Sequence, residues 1–180
     1  MRLFIALELS KENKNILKNN ADIISTYSSK AKISREENFH INLVFLGEVD
    51  EAKISSLKSI MDNLNFHINN ISVTSLISFN RGPECLISQK VVYEKELILL
   101  RNALVKSLIG NGFMVDSKPF RPHITLTRET ILNTPLSLIE NKITHFNDKI
   151  DHTTLFLSER INGVLTYTPL YSKKLLWWNY

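Results

Sequence analysis

The sequence predicts an α+β fold in which two related lobes share a cleft, and three observations predict it. The first is a repeated strand. "HINLVFLG" (His40–Gly47) and "RPHITLTR" (Arg121–Arg128) each place a histidine two residues before a small polar residue. Side chains alternate across a strand, so His40 and Asn42 share one face, while Ile41, Leu43 and Phe45 share the other. In the second strand His123, Thr125 and Thr127 oppose Ile124 and Leu126. The second observation is that this alternation is strict, which suits antiparallel sheets covered on one face rather than a buried parallel sheet. The third is that strands and helices interleave along all 180 residues without long linkers, charge runs or low-complexity tracts. One two-lobed domain over residues 1–180 accounts for this.

In chain order, residues 2–8 read as a first strand, because Glu8 and "KENK" break the apolar run too early for a signal peptide. Ser10 is placed to cap a helix running to about residue 27. Asp50 caps the next, whose Ile54, Leu57, Ile60, Met61 and Leu64 fall on one helical stripe. Residues 71–79 and 85–93 form two strands around a turn at Asn80–Pro83. A third helix directs Leu97, Leu100, Leu104 and Leu108 inward and ends at Gly110 or Gly112. Thr134 and Pro135 read as the N-cap and first residue of a short fourth helix. Residues 150–176 supply two more strands joined near "INGV".

Composition narrows the function. Lys and Arg total 22 against 18 Asp and Glu, an excess of four that suits a polyanionic partner without requiring one. The lone cysteine, Cys85, excludes an internal disulfide and a cysteine-based metal site, and points to a reducing compartment. No apolar run approaches the roughly 20 residues that span a bilayer, so a cytoplasmic protein is expected.

Two imidazoles facing each other across a cleft can serve together as general acid and general base, since their ordinary pKa lies near 6.5. The Thr125 hydroxyl and the Asn42 amide can donate to an oxygen lying between them. That suits in-line displacement at phosphorus, with one histidine deprotonating the attacking oxygen and the other protonating the leaving one. Such chemistry needs no metal and no cofactor. Read singly, each motif is an ordinary half-exposed strand position; the pair carries the functional reading.

"HINLVFLGE" and "RPHITLTR", with the opening "MRLFIALEL" and the closing "LFLSERINGVLTYTPLYSKKL", resemble the two-histidine phosphoesterases. Within that family they resemble the RNA 2',3'-cyclic phosphodiesterases once described as 2'-5' RNA ligases. The resemblance implies two pseudo-symmetric lobes, each an antiparallel sheet with helices on its outer face and the cleft between them. It implies that His40 donates a proton to the leaving 3' oxygen and that His123 accepts one from water, leaving a 2'-phosphate. The substrate implied is RNA or an oligonucleotide ending in a 2',3'-cyclic phosphate, handled by a monomer without membrane attachment or an obligate protein partner. Thr125 matches a phosphate-binding hydroxyl and Arg128 the arginine that closes the second motif. Arg128 is the fifth residue after His123, so a regular strand would point it at the core; the match requires a bend or bulge. Asn42 stands where the family has Thr or Ser, and its amide donor sits one bond further out.

Other residues carry no function on this reading. His67, His145 and His152 lack partners at metal-ligand spacing, "GNG" at 110–112 ends a helix, and Trp177 and Trp178 cover the core. Lys173 and Lys174 read as a solvated terminal pair. The same histidine pair would serve another cyclic nucleotide or ligation in the reverse sense. A module that holds RNA ends without cleaving them is the alternative of another class.

Overall fold

The computed structural model describes every residue except Phe66, His67, Asn69, Ser117 and residues 176–180, so the expectations for His67, Trp177 and Trp178 fall outside the described residues. The elements are β1 (Arg2–Glu8), α1 (Lys11–Thr26), β2 (Ser28–Ile33), β3 (His40–Glu48), α2 (Ile54–Asp62), β4 (Ile71–Arg81), β5 (Glu84–Val91), α3 (Lys95–Gly110), β6 (His123–Leu132), α4 (Leu136–Glu140), β7 (Phe146–Asp148), β8 (His152–Ile161) and β9 (Val164–Lys174). They form two antiparallel sheets, ordered β3-β1-β8-β9 and β2-β6-β5-β4-β7. The two His strands, β3 and β6, belong to different sheets and lie together where the sheets meet.

The two long helices exchange sheets. α1 leaves a strand of the first sheet yet packs on β2 and β6 of the second; α3 leaves the second sheet and packs by α2 and β3 of the first. Leu17 and Ile24 of α1 and the predicted Leu97, Leu100, Leu104 and Leu108 of α3 therefore join strand residues of both sheets in one core. Ser10 caps α1 as expected, its hydroxyl accepting from the Asn13 N–H at 3.3 Å. At the end of α3, Gly112 takes φ +77°. There the Phe113 N–H reaches Leu108 O and the Gly112 N–H reaches Ile109 O, which closes the helix in a Schellman turn. Asn162 and Gly163, at φ 51° and 79°, make the tight β8–β9 hairpin that "INGV" predicts.

Four local expectations need correction. β2 and β7 were not foreseen. "SSKAKI" is a polar strand at the sheet's edge, where Lys30 and Lys32 discourage further pairing, and three residues of β7 carry no period. Pro135, at φ −58° and ψ 140°, is extended and is itself the cap position of α4, so Thr134 caps nothing. Asp50 caps a 3-10 turn at Glu51–Lys53 that leads into α2.

The fourth correction concerns the His strands. In β3, Ile5 pairs with Val44 but Ala6 with Asn42, so Leu43 is an extra residue. Leu43 and Val44 are both buried, and Phe45, expected in the core, turns outward to 38% exposure. In β6, Ile87 pairs with Thr127 but Ser88 with Thr125, so Leu126 is extra. Leu126 and Thr127 are both fully buried, against the expectation for Thr127, and Arg128 rejoins the face of His123 and Thr125. One added residue reverses a strand's parity, and each strand carries that bulge at the same offset from its histidine.

Candidate active site

A cleft of about 330 Å³ opens between the sheets, lined by His40, Asn42 and Phe45 of β3 and by His123, Thr125 and Arg128 of β6. All five residues singled out in the sequence meet there. The two histidines are held alike. His40 Nδ1 lies 2.8 Å from the Asn38 carbonyl and His123 Nδ1 2.6 Å from the Arg121 carbonyl, in each case two residues upstream. A carbonyl only accepts, so both Nδ1 atoms carry hydrogen, and each neutral ring keeps its Nε2 lone pair free. Phe4 (4.9 Å between centroids) and the edge-on Tyr167 (5.2 Å) flank the His40 ring; Phe79 (5.0 Å) flanks that of His123.

Burial pushes the His40 pKa down to about 4; the Asn38 hydrogen bond opposes this, while the charge of Arg128, a charged His123 and Lys14 add to it. Burial also lowers His123, opposed by its bond to Arg121 and reinforced by Arg128. Both rings are therefore neutral at pH 7 in the ligand-free protein. Around them stand Arg2, Arg81 and Arg128, none in an ion pair among the described residues. Asn42 lines the cleft, and its Oδ1 is buried without a partner. The site thus offers two imidazoles, a hydroxyl, an amide and three guanidinium groups to an anion. No group of three or more His, Cys, Asp or Glu among the described residues is arranged to hold a metal ion.

A family model described as "LigT like Phosphoesterase" matches residues 7–84, which include the first His strand, β3. The RNA 2',3'-cyclic phosphodiesterase of Archaeoglobus fulgidus is 33% identical over 129 residues, covering 71% of this chain and 72% of the relative. The chain belongs to the LigT-like phosphoesterases. The Thermotoga maritima protein of the same name is also 33% identical, over 134 residues covering 71% of this chain and 70% of its own. The fold agrees with that of Escherichia coli LigT solved with 3'-AMP, at a TM-score of 0.79 and 24% identity, covering 97% of each chain.

In this LigT-like chain, sequence reasoning missed Phe45, Arg2, Arg81 and Tyr167 of the cleft. For Phe45 a signal existed: it follows His40 at the offset at which Arg128 follows His123, so the bulge demanded in one motif was implied in the other. Arg2 lies over the Phe45 ring, 5.1 Å from its centroid, so the two missed residues form one surface. Arg81 comes from a strand with no motif, and Tyr167 from the closing stretch, where nothing local marks it; strand pairing brings both in. Lys173, expected in solvent, donates to the Asp62 carbonyl at 3.2 Å. His145 and His152 pair with Glu140 and Asp151, away from the cleft.

Proposed function

We propose that this chain hydrolyses RNA 2',3'-cyclic phosphate ends to 2'-phosphates, using its two histidines as acid and base. The observation that carries the reading is the twin anchoring of His40 and His123 with both Nε2 atoms free, beside donors suited to phosphate oxygens. His123 takes a proton from water as the oxygen attacks phosphorus. The bond to the 3' oxygen breaks, and His40 supplies that oxygen with its proton. Thr125, Asn42 Nδ2 and Arg128 hold the equatorial oxygens, where charge accumulates. Phe45 and Tyr167 offer apolar faces to the nucleoside.

His40 must first gain the proton it donates. Moving its pKa from about 4 to neutrality takes about 4 kcal/mol. A phosphodiester charge roughly 4 Å away contributes about that much at an effective dielectric near 20, and it also offsets Arg128. The substrate thus charges its own acid on arrival.

The test is turnover of a short cyclic-ended RNA in chelator by the native protein, His40→Ala and His123→Ala. Each substitution is expected to lower kcat by about 10²–10⁴; turnover that survives both overturns the reading. The pH profiles add a second check. With both free-protein pKa values below 6.5, the bell in kcat/KM should lie on the acid side of 6.5, while the bell in kcat, set in the complex, moves to higher pH. Profiles flat from about pH 5 to 9 would exclude histidine proton transfer as the limiting step.

A further inference from the structure

The cleft opens on either side, and its two exits differ in size and in charge. One leads to a groove of about 410 Å³ in which Phe79, Val115, Pro119 and Phe120 stand beside Arg101, Arg121 and a Lys118 paired with Asp116 at 3.1 Å. The other leads to a larger groove of about 720 Å³, and Arg2, Asn38, Arg128 and Tyr167 line both it and the cleft, so the two are continuous. Further out this groove carries Lys32 on the edge strand β2 of one sheet and Arg160 at the β8–β9 hairpin of the other, with Arg35 nearby. Its carboxylates are Glu129 and Glu159. Glu129 is engaged by Lys30 and Lys32 at 3.7 and 3.6 Å, and Glu159 accepts from the Thr168 hydroxyl at 2.7 Å. Arg35 is paired with Glu37 outside the groove. Arg160 bonds only the Gly163 carbonyl, at 2.8 Å, and forms no ion pair among the described residues. Five cations against the two carboxylates of the groove, with Arg35 also held by Glu37, leave the groove positive from the histidines outward.

We propose that this groove is a track for single-stranded polynucleotide, holding the phosphates that precede the reacting nucleotide, with Lys32 and Arg160 as contacts from opposite walls. The inference rests on the hydrolytic reading above for which end of the strand enters the cleft. A chain whose terminal phosphate sits between the histidines must leave through one of the exits. Phosphodiester anions are held by guanidinium and ammonium groups, of which the larger groove offers five and the smaller one three. The track makes an oligonucleotide a better ligand than its terminal nucleotide alone.

The experiment measures binding rather than turnover. The probes are a 5'-labelled single-stranded RNA of about eight nucleotides ending in a 2'-phosphate, followed by fluorescence anisotropy, and a nucleoside 2'-phosphate as competitor. In the native protein the oligonucleotide should bind more tightly than the nucleotide. Lys32→Ala with Arg160→Ala should weaken the oligonucleotide about tenfold near 0.1 M salt and reduce the slope of log K against log salt by about 1.4, roughly 0.7 per lost contact. The nucleotide should bind as before. An unchanged oligonucleotide affinity and slope, or an equal loss for both probes, overturns the track. Both residues are on the surface, and an unchanged circular dichroism spectrum checks the fold. A protein that binds the oligonucleotide as expected but never turns over the cyclic end would refute the hydrolytic reading and leave the track standing.

Discussion

Asn42 presents an amide at the position where the other His strand presents the Thr125 hydroxyl. On the proposed reading its nitrogen donates toward charge that grows in the transition state. Asn42→Ala should therefore lower kcat by at least about tenfold, and by 10²–10³ if the donor is well aligned. Asn42→Thr, which restores the family's hydroxyl, should hold or raise the rate. An Asn42→Ala protein within about twofold of native kcat/KM would show that this amide meets no substrate, since surface changes rarely exceed about 0.5 kcal/mol. The identities of His40, Asn42, His123 and Thr125 were legible because each motif is contiguous. The lowered pKa of the two histidines was not, because burial and the charge of Arg128 belong to the assembled cleft.

The bulges decide which side chains those strands deliver. Besides the extra Leu126, β6 has a second irregularity: Thr127 pairs with Ile87 and Thr130 with Cys85, with Glu129 between them at φ +48°. Two fully buried threonines brace this bend. The Thr130 hydroxyl lies 2.8 Å from that of Thr127 and 3.2 Å from the Arg128 carbonyl. Thr130→Val leaves the Thr127 hydroxyl buried without its partner, an expected loss of about 1–3 kcal/mol. Removing both hydroxyls, in Thr127→Val with Thr130→Val, should be less destabilising than the single change, because both lose the contact to the Arg128 carbonyl and only the single variant also buries an unpaired hydroxyl. Both variants should lose kcat/KM as the bend that aims Arg128 relaxes. Urea unfolding and kinetics check this; a double variant less stable than the single one would refute the brace. The need for a bend at Arg128 could be counted from the residues. The same count applied to Phe45 met an apolar side chain that the core would accept, and parity alone placed it there.

At the scale of the molecule, the exchanged helices make two sheets one folding unit. Leu104, fully buried on α3, touches a core drawn from both. Leu104→Ala should cost about 2–5 kcal/mol. The loss should appear as one shifted transition, read identically by far-ultraviolet circular dichroism and by probes placed in either sheet. Two separated transitions would mean that the lobes fold apart. The α+β class, the two lobes, nearly all helices and the histidine pair were determined by the sequence itself, because periodicity, caps, tight turns and repeated motifs are local. Which sheet each helix covers, the outward turn of Phe45 and Arg128, the arrival of Arg2, Arg81 and Tyr167, and the neutrality of both imidazoles were decided only by the tertiary structure. Strand register and burial depend on partners far along the chain, and no local pattern encodes them.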